Sequence, residues 1–193
     1  MKIVFATGNP GKLREAQEIL GEGFELVTPA EAGIPEDIPE NGETLRENSL
    51  EKAQYIYDKT GLDCFADDTG LEVDVLGGAP GVHTARYGGP QKDPAANIAK
   101  LLSEMARYPD ASRTARFRTS VTLILNGEKH FFDGIMEGRI ARSKAGKGGF
   151  GYDPVFIPDG CDVTAAEITE EEKNAISHRG KALRAMAEYL KNR

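Results

Sequence analysis

Short apolar runs and helically spaced apolar residues alternate along the N-terminal part of the chain. Residues 3–6 are all apolar and predict a buried strand. The apolar positions that come next have helical spacing: Leu13, Ala16, Ile19 and Leu20. Asn9 and Pro10 are suited to cap and begin this helix, and Gly21 is suited to end it. A second short strand is predicted at residues 25–27.

Three further helices and a hairpin are predicted in the rest of the chain. One helix covers residues 44–60, a second begins at residues 93–94, and the last runs to Arg193. The helical positions that we expect to be buried are, in chain order, Leu45, Ser49, Ala53 and Ile56; Ile98, Leu101, Leu102 and Met105; Ala182, Leu183, Ala185, Met186, Tyr189 and Leu190. Alternation over residues 115–125, followed by Asn126-Gly127, predicts a type I′ hairpin.

Two adjacent acidic residues, Asp67 and Asp68, follow an apolar run at residues 64–66. Strict alternation resumes at Leu71 and continues to Val75, so the pattern predicts a sharp break between two extended segments at the acidic pair. Neighbouring like charges repel, and burying either one is unfavourable without a partner. Mg²⁺ would relieve both problems because it binds carboxylate oxygens and substrate phosphates. The alternative is a solvated turn, because Asp-Thr-Gly is common in turns.

The segment at residues 7–12 joins the first strand to the first helix and contains two glycines and a lysine. The free backbone N–H groups of a helix start, together with Lys12, are suited to bind an anion. The segment is not a P-loop, because Ala6 stands where that motif requires glycine and Leu13 where it requires serine or threonine. The alternative is an ordinary turn between a strand and a helix.

A second glycine-dense segment, residues 146–154, surrounds Phe150 and Tyr152. Glycines beside an aromatic residue allow the backbone to approach a flat ligand while the ring stacks on it. The alternative is a flexible loop whose aromatic rings pack inward.

Three further polar positions allow two interpretations each. Glu40 lies in a loop ahead of the helix at residues 44–60, where its carboxylate either points into a cleft or is solvated. The pair His178-Arg179 begins the last helix, a position more typical of a surface than of a site. His130 lies in the second arm of the hairpin, and we interpret it as a surface histidine and not a ligand.

Composition narrows the class of protein. The chain has 193 residues, of which 39% are hydrophobic and 28% charged, which predicts a globular fold of one domain or two close lobes. The net charge of −7 argues against general nucleic-acid binding. No apolar run approaches the roughly 20 residues of a membrane span. The two cysteines cannot form a disulfide framework, and they favour a reduced, cytoplasmic setting.

Several short motifs occur together over nearly the whole chain. They are Thr7-Gly8-Asn9 with Lys12; Glu40-Asn41-Gly42 with Asn48 and Lys52; residues 66–71; Pro80-Gly81-Val82 with Ala85-Arg86-Tyr87; residues 149–154; and Lys173 with Ser177-His178-Arg179-Gly180. In this order and number, the chain resembles the family of pyrophosphatases that act on non-standard purine nucleoside triphosphates, such as those of inosine and xanthosine. Thr69 and Thr84 stand where that family usually has serine, and Ser49 where it usually has alanine.

The resemblance implies an α/β fold: an elongated mixed β-sheet with flanking helices, and two lobes around a nucleotide-binding cleft. A single two-lobed domain would span residues 1–193. The resemblance also implies a cytoplasmic homodimer, dependence on Mg²⁺, and a reaction in which a nucleoside triphosphate and water give the monophosphate and pyrophosphate. The expected partner is a purine nucleoside triphosphate, with no nucleic acid and no membrane.

Residue roles follow from the same resemblance. Glu40 and Asp68 are expected to hold the metal, with Asp68 also accepting the proton of the attacking water and Asp67 supporting it. The residues expected to contact the phosphates are Thr7, Gly8, Asn9, Pro10, Gly11, Lys12, Lys52 and Lys173. The residues expected to form the base pocket are Phe150, Gly151, Tyr152, Asp153, His178 and Arg179. Thr69 is expected to contact the substrate through its hydroxyl group.

Two alternatives from other classes of protein stay open at this point. Asp68-Thr69-Gly70 matches the active-site triplet of aspartic proteases, but that fold is nearly all β, whereas at least four capped helices are predicted here. The second alternative is a module that binds nucleotides without hydrolysing them.

Overall fold

The computed structural model covers residues 1–193 and contains five α-helices and six β-strands. The helices are α1 (Pro10–Leu20), α2 (Leu45–Thr60), α3 (Pro94–Met105), α4 (Glu170–Ile176) and α5 (His178–Lys191). The strands are β1 (Lys2–Phe5), β2 (Glu25–Val27), β3 (Cys64–Val73), β4 (Thr114–Leu125), β5 (Glu128–Ile140) and β6 (Phe156–Pro158). None of the helices has both the length and the apolar character that crossing a membrane requires.

The strands form one mixed sheet in the order β2-β1-β3-β4-β5-β6. β1 runs parallel to both β2 and β3, whereas β5 and β6 are antiparallel. Asn126 and Gly127 join β4 to β5 with φ of 51° and 83°, the left-handed values that a type I′ turn requires. The predicted hairpin and the α/β class are therefore confirmed. The presence of five α-helices beside the mixed sheet excludes the aspartic protease alternative, because that fold is nearly all β.

Local sequence signals determine where the first two helices begin and end. The side chain of Asn9 accepts hydrogen bonds from the N–H groups of Gly11 and Lys12, at 2.8 and 3.2 Å, with Pro10 in the first position of α1. Thr44 caps α2 by accepting from the N–H of Glu47, and α2 ends at Gly61, whose φ is 68°. These caps confirm the predicted boundaries.

The chain divides into two compact units. The first consists of residues 1–68, 119–134 and 178–193, and buried residues lie on both faces of its strands. The buried residues toward α1 and α5 include Ile3, Phe5, Ala16, Phe65, Val121, Leu183 and Met186. The buried residues toward α2 include Val4, Ala6, Ala53, Ile56, Cys64, Ala66 and Ile124. Because successive strand residues point to opposite faces, consecutive residues of β1 and β3 enter different cores.

The second unit consists of residues 69–118 and 135–177. Its core is formed by α3 and by strand and loop residues of the same unit. The members of this core are Leu71, Val73, Ile98, Leu101, Met105, Ala115, Phe117, Met136, Ile140, Tyr152, Val155 and Phe156. The rings of Phe117 and Phe156 lie 4.6 Å apart. Three of the four predicted core positions of α3 are therefore buried, while Leu102 is partly buried.

Three details of the predicted elements are wrong. β3 is one continuous strand, so there is no break at the acidic pair, and the interpretation as a solvated turn fails with it. The strand ends at Val73, and Val75 lies in a 3₁₀ turn, Asp74–Leu76. Ala185 is exposed because it lies outside the helical face defined by Leu183, Met186 and their buried neighbours.

Candidate active site

The turn between β1 and α1 lies at a helix N-terminus, and Lys12 follows it in the first turn of α1. Gly8, Asn9 and Pro10 are exposed, and a side chain at Gly8 would meet no atom within 4 Å. The hydroxyl of Thr7 accepts from the N–H of Asn9 at 3.1 Å, and the side chain of Asn9 accepts from the N–H groups of Gly11 and Lys12, so these three N–H groups are satisfied within the turn. An anion at this turn would have to compete with these internal hydrogen bonds, and the predicted anion site stays a prediction.

Asp67 points to the face of the sheet that packs on α1 and α5. Lys12 Nζ lies 3.1 Å from its Oδ1, and Arg179 Nε donates to its Oδ2 at 3.0 Å. Burial alone would raise the pKa of Asp67, but Lys12, Arg179 and Lys52 together hold it well below its usual range. Asp67 is therefore ionised, and its carboxylate holds Lys12 and Arg179 in place through two ion pairs.

A buried glutamate completes this ion-pair chain. Arg179 contacts Oε1 of Glu15 through Nη1 while its Nε contacts Asp67, and all three side chains are at most 3% exposed. Burial by itself would lower the pKa of Arg179, but Asp67 and Glu15 raise it. Burial lowers the pKa of Lys12, and the neighbouring Lys52 and Arg179 add to this effect, while Asp67 opposes it. The chain Glu15–Arg179–Asp67–Lys12 thus links α1, α5 and β3.

Asp68 points to the opposite face, toward α2. Asn48 Nδ2 donates to its Oδ2 at 2.9 Å, and the hydroxyl of Thr119 donates to its backbone carbonyl at 3.2 Å. Burial and the neighbouring carboxylate of Glu40 raise the pKa of Asp68 to about 7, although Lys52, Lys12 and Asn48 oppose the shift. Asp68 therefore titrates near neutral pH, which suits a proton acceptor.

Glu40 and Lys52 lie beside Asp68 on this face. Lys52 Nζ donates to the backbone carbonyl of Asp67 at 2.6 Å and lies 3.2 Å from Oε1 of Glu40. Burial by itself would raise the pKa of Glu40, but Lys52 and a hydrogen bond shared with Asp68 lower it. The pKa values of the two neighbouring carboxyl groups therefore shift in opposite directions, that of Glu40 downward and that of Asp68 upward.

The carboxylate pair fits a hard divalent cation. The two neighbouring carboxyl groups, whose pKa values shift in opposite directions, offer oxygen ligands that a cation would stabilise in their ionised form. No group of three or more histidine, cysteine, aspartate or glutamate side chains is arranged around a metal position. A pair suits Mg²⁺, which is usually held by one or two carboxylates together with water and substrate phosphates.

In the second unit, the glycine-dense loop is organised by Asp153. Its Oδ2 accepts from the N–H of Phe150 at 3.0 Å and from Nζ of Lys173 at 2.5 Å, and all of its side chain is buried. The same lysine lies 4.7 Å from the centre of the Phe150 ring. Gly149 adopts a φ of 65° beside the Asp153 carboxylate, where a Cβ atom would collide with that group. Asp153 and Lys173 thus hold the loop that presents Phe150.

The remaining predicted site residues occupy defined positions within their own units. Tyr152 is buried and its hydroxyl donates to the carbonyl of Thr84 at 2.7 Å, while burial raises its pKa. Gly151 has a φ of 60°, and Thr69 is half-buried in β3. His178 is buried at the start of α5, where Gly134 of β5 allows close approach to its backbone carbonyl. The interpretation of the His178-Arg179 pair as a surface feature is therefore wrong.

The structure brings most of the predicted polar residues of the first unit into one cluster. These are Glu40, Lys12, Lys52, Asp67, Asp68 and Arg179. Two members were missed as site residues, Glu15 and Asn48. Glu15 lies three residues after Lys12 and one before Ala16, so helical spacing places it on the buried face of α1. Asn48 was part of a motif, but nothing in the sequence connects its amide to Asp68.

Comparison with known proteins gives consistent similarities over the full length. The model of the Ham1 family matches residues 3–189. A dITP/XTP pyrophosphatase of Christiangramia forsetii is 50% identical over 190 residues, which is 98% of this chain and 99% of that protein. The structure of a HAM1 protein from Coxiella burnetii matches with a TM-score of 0.91 and 40% identity, covering 100% of both chains. That of a nucleoside-triphosphatase, dITP/XTP pyrophosphatase, from Mycobacterium abscessus matches with a TM-score of 0.77 and 46% identity over 96% of this chain and 98% of that one.

Proposed function

The chain belongs to the Ham1 family, and we propose that the cluster around Asp68 is the catalytic centre of its reaction. The protein is a nucleoside triphosphate pyrophosphatase that hydrolyses non-standard purine nucleotides, ITP, dITP and XTP, to the monophosphate and pyrophosphate. It removes these nucleotides from the pool. A module that only binds nucleotides is therefore the weaker alternative.

The observation that carries the catalytic assignment is the environment of Asp68. Its carboxylate is buried on β3 between Asn48, Lys52 and Glu40, and without a bound cation its pKa is raised to about 7, so it is basic enough to take a proton near neutral pH. Asp68 accepts the proton of the attacking water, and Asn48 holds the carboxylate in place through Oδ2. Asp67, whose pKa is lowered, stays ionised and supports the site by fixing Lys12.

Charge neutralisation at the triphosphate is the second requirement of the reaction. Lys12 and Lys52 supply two ammonium groups, and the turn at residues 7–11 lies at the N-terminus of α1, whose helix dipole favours an anion. A divalent metal belongs to this chemistry, and we assign it as Mg²⁺, held by Glu40 and Asp68. When bound, Mg²⁺ supplies Lewis-acid stabilisation of charge on the phosphate oxygens.

We assign base recognition to the residues that the family resemblance implies, which are Phe150, Gly151, Tyr152, Asp153, His178 and Arg179. Phe150 presents a ring for stacking, held by Asp153 and Lys173, and the Gly151–Asp153 backbone and Thr69 contribute polar contacts. A 6-oxo purine presents an acceptor at C6, so donors are needed there, and Arg179, His178 or a backbone N–H near Tyr152 supply them. Adenine presents an amino donor at C6, and two facing donors would be unsatisfied, which costs about 1–3 kcal/mol for each group. Guanine shares the 6-oxo group, so it is rejected through its 2-amino group.

The setting of the enzyme is a further part of the proposal. We assign a homodimer from the family resemblance. The two cysteines are free thiols, Cys64 buried and Cys161 partly exposed, which supports a reduced, cytoplasmic setting.

Direct assay of the purified chain tests the function. The protein is incubated with Mg²⁺ and ITP, dITP, XTP, ATP or GTP, and inorganic pyrophosphatase converts released pyrophosphate to phosphate, which is measured. We expect the three non-standard nucleotides to be hydrolysed at least 10²-fold more efficiently than ATP and GTP, because a mismatched polar group gives discrimination of this size. Omitting the coupling enzyme should abolish the phosphate signal. Phosphate release without the coupling enzyme would instead indicate a phosphatase, and no release would leave only nucleotide binding.

A further inference from the structure

A buried amide connects the loop that carries Glu40 to the strand that carries Asp68. Asn48 of α2 is 2% exposed. Its Oδ1 accepts from the N–H of Gly42 at 2.6 Å, and its Nδ2 donates to Oδ2 of Asp68 at 2.9 Å. One side chain therefore contacts both segments that present the carboxylate pair.

The loop is docked on α2 by three successive backbone N–H groups. Asn41 donates to Oε1 of Glu51 at 2.7 Å, Gly42 donates to Asn48, and Glu43 donates to Oε2 of Glu47 at 2.8 Å. The first and third acceptors lie in exposed hydrogen bonds, whereas Asn48 is buried. Asn48 also donates a hydrogen bond to Asp68, so its side chain links the loop to β3.

Gly42 shows how closely the loop approaches the helix. A Cβ atom at this residue would lie 2.6 Å from Cβ of Glu47 and 2.7 Å from Oδ1 of Asn48. Any larger residue would therefore push the loop away from α2, and Glu40 lies only two residues before Gly42.

The chemistry at position 48 requires an amide. The group must accept from a backbone N–H with one atom and donate to a carboxylate with another, and its length must span the gap. An aspartate would not donate, and a leucine would neither accept nor donate. We propose that Asn48 is a positioning residue that holds Glu40 and Asp68 in the arrangement that binds the divalent cation. The inference rests on the proposed function for the identity of the site.

Direct measurement of metal binding tests this role apart from turnover. Mn²⁺ alone is titrated into the wild-type protein and into Asn48→Ala, and free Mn²⁺ is followed by electron paramagnetic resonance. Groups that hydrogen-bond to metal ligands typically contribute ~10–100-fold to metal affinity, so we expect the Kd of Asn48→Ala for Mn²⁺ to rise by about that factor. Its activity on ITP should also require more Mg²⁺ and should recover partly when Mg²⁺ is raised.

Ser49→Ala is a matched control. Ser49 is the next residue of α2, is fully buried, and hydrogen-bonds to the hydroxyl of Thr122 at 2.7 Å and to the carbonyl of Arg46 at 3.0 Å. The change removes a buried polar group of the same helix without touching the loop or Asp68. We expect it to leave the Kd for Mn²⁺ within threefold of wild type. An equal loss of affinity in both variants would reduce the role of Asn48 to general stability and overturn the proposal.

Gly42→Ala tests the same connection from the loop. It should weaken Mn²⁺ binding to a similar extent, and Asn48→Ala with Gly42→Ala should be little worse than either change alone. If Asn48→Ala does not fold, the Kd of Gly42→Ala for Mn²⁺ tests the proposal in its place. Unchanged Mn²⁺ affinity in folded Asn48→Ala or Gly42→Ala would overturn the proposal, as would a wild-type protein that binds no Mn²⁺. If the wild type binds Mn²⁺ and Asn48→Ala weakens it while ITP is not hydrolysed, the proposed function fails and the positioning role stands.

Discussion

The carboxylates of Asp67 and Asp68, which are neighbours in sequence, lie on opposite faces of β3. Asp67 meets Lys12 and Arg179 from α1 and α5, whereas Asp68 meets Asn48 from α2. Their pKa values consequently shift in opposite directions, Asp67 downward under its cations and Asp68 upward under burial and Glu40. This separation agrees with the proposal that Asp67 supports the site while Asp68 accepts the proton.

Substitution of the two aspartates should separate stability from activity. Asp68→Asn removes a carboxylate whose ionisation is already opposed by burial and Glu40, so we expect unchanged or higher thermal stability. Turnover of ITP should fall by roughly 10²–10⁴-fold, the usual contribution of a general base. Asp67→Asn leaves Lys12 without its buried carboxylate partner and removes one of the two carboxylates that pair with Arg179, and we expect the free energy of unfolding to fall by ~3–5 kcal/mol. Thermal melts and kcat values check both, and Asp68→Asn with activity within a few-fold of wild type would remove Asp68 from the mechanism.

Removal of divalent metal should abolish turnover. Hard oxygen ligands at Glu40 and Asp68 favour Mg²⁺, and neither cysteine lies in a zinc-like cluster. We expect excess chelator to stop hydrolysis of ITP and added Mg²⁺ to restore it, with the circular dichroism spectrum unchanged throughout. Full turnover in excess chelator would show that these carboxylates hold no metal needed for the reaction.

The role of Arg179 is tested by a conservative change, because alanine would leave Glu15 and Asp67 unpaired in the core. Arg179→Lys keeps the charge but loses the planar guanidinium that contacts both carboxylates. We expect the kcat/KM of Arg179→Lys to fall more for ITP than for ATP, so the ratio of the two kcat/KM values becomes smaller than in the wild type. Glu15→Gln is the control, since it alters the other partner of Arg179 and should leave the ratio unchanged. An equal loss on both nucleotides in Arg179→Lys would limit Arg179 to holding Asp67 and Lys12.

The two thiols should differ sharply in reactivity. Cys64 is fully buried, and burial raises its pKa to about 12, so little thiolate forms at pH 8. Cys161 is partly exposed. We expect iodoacetamide at pH 8 to label one thiol in the folded protein and two in guanidinium chloride. Folded Cys161→Ser should remain unlabelled, and rapid labelling of that variant would contradict the burial of Cys64.

The ionised carboxylate of Glu36 should make the thermal stability of the protein depend on pH. Its own backbone amide, Lys59 at 3.0 Å and Tyr55 at 2.8 Å lower its pKa to about 2. A carboxylate with a depressed pKa contributes stability above its unfolded pKa, and this contribution is lost as the pH falls through the folded pKa. We therefore expect Glu36→Gln to lower Tm at pH 7 and to approach the wild type as the pH falls from about 4.5 toward 2. The exposed Glu22→Gln serves as control, and a constant difference at all pH values would exclude ionised Glu36 as the cause.

Local features of the chain were determined by the sequence itself. Asn9-Pro10, Thr44 and Asn126-Gly127 specify caps and a turn through interactions within a few residues, so their geometry follows from the residue types. The same holds for the turn between β1 and α1, whose role as an anion site stays a prediction. The family motifs also contained Glu40, Lys52 and Asp68, which the structure places together.

Tertiary structure alone decided what the polar residues do. Asp67 and Asp68 read as a turn because a pattern of hydrophobic and polar positions treats charge as exposed. Their burial in a continuous strand depends on Arg179, 112 residues from Asp67, and on Asn48, 20 residues from Asp68. Glu15 and Arg179 pair across 164 residues. Buried charges are stable only with partners, and partners brought together by folding leave no periodic signal in the sequence.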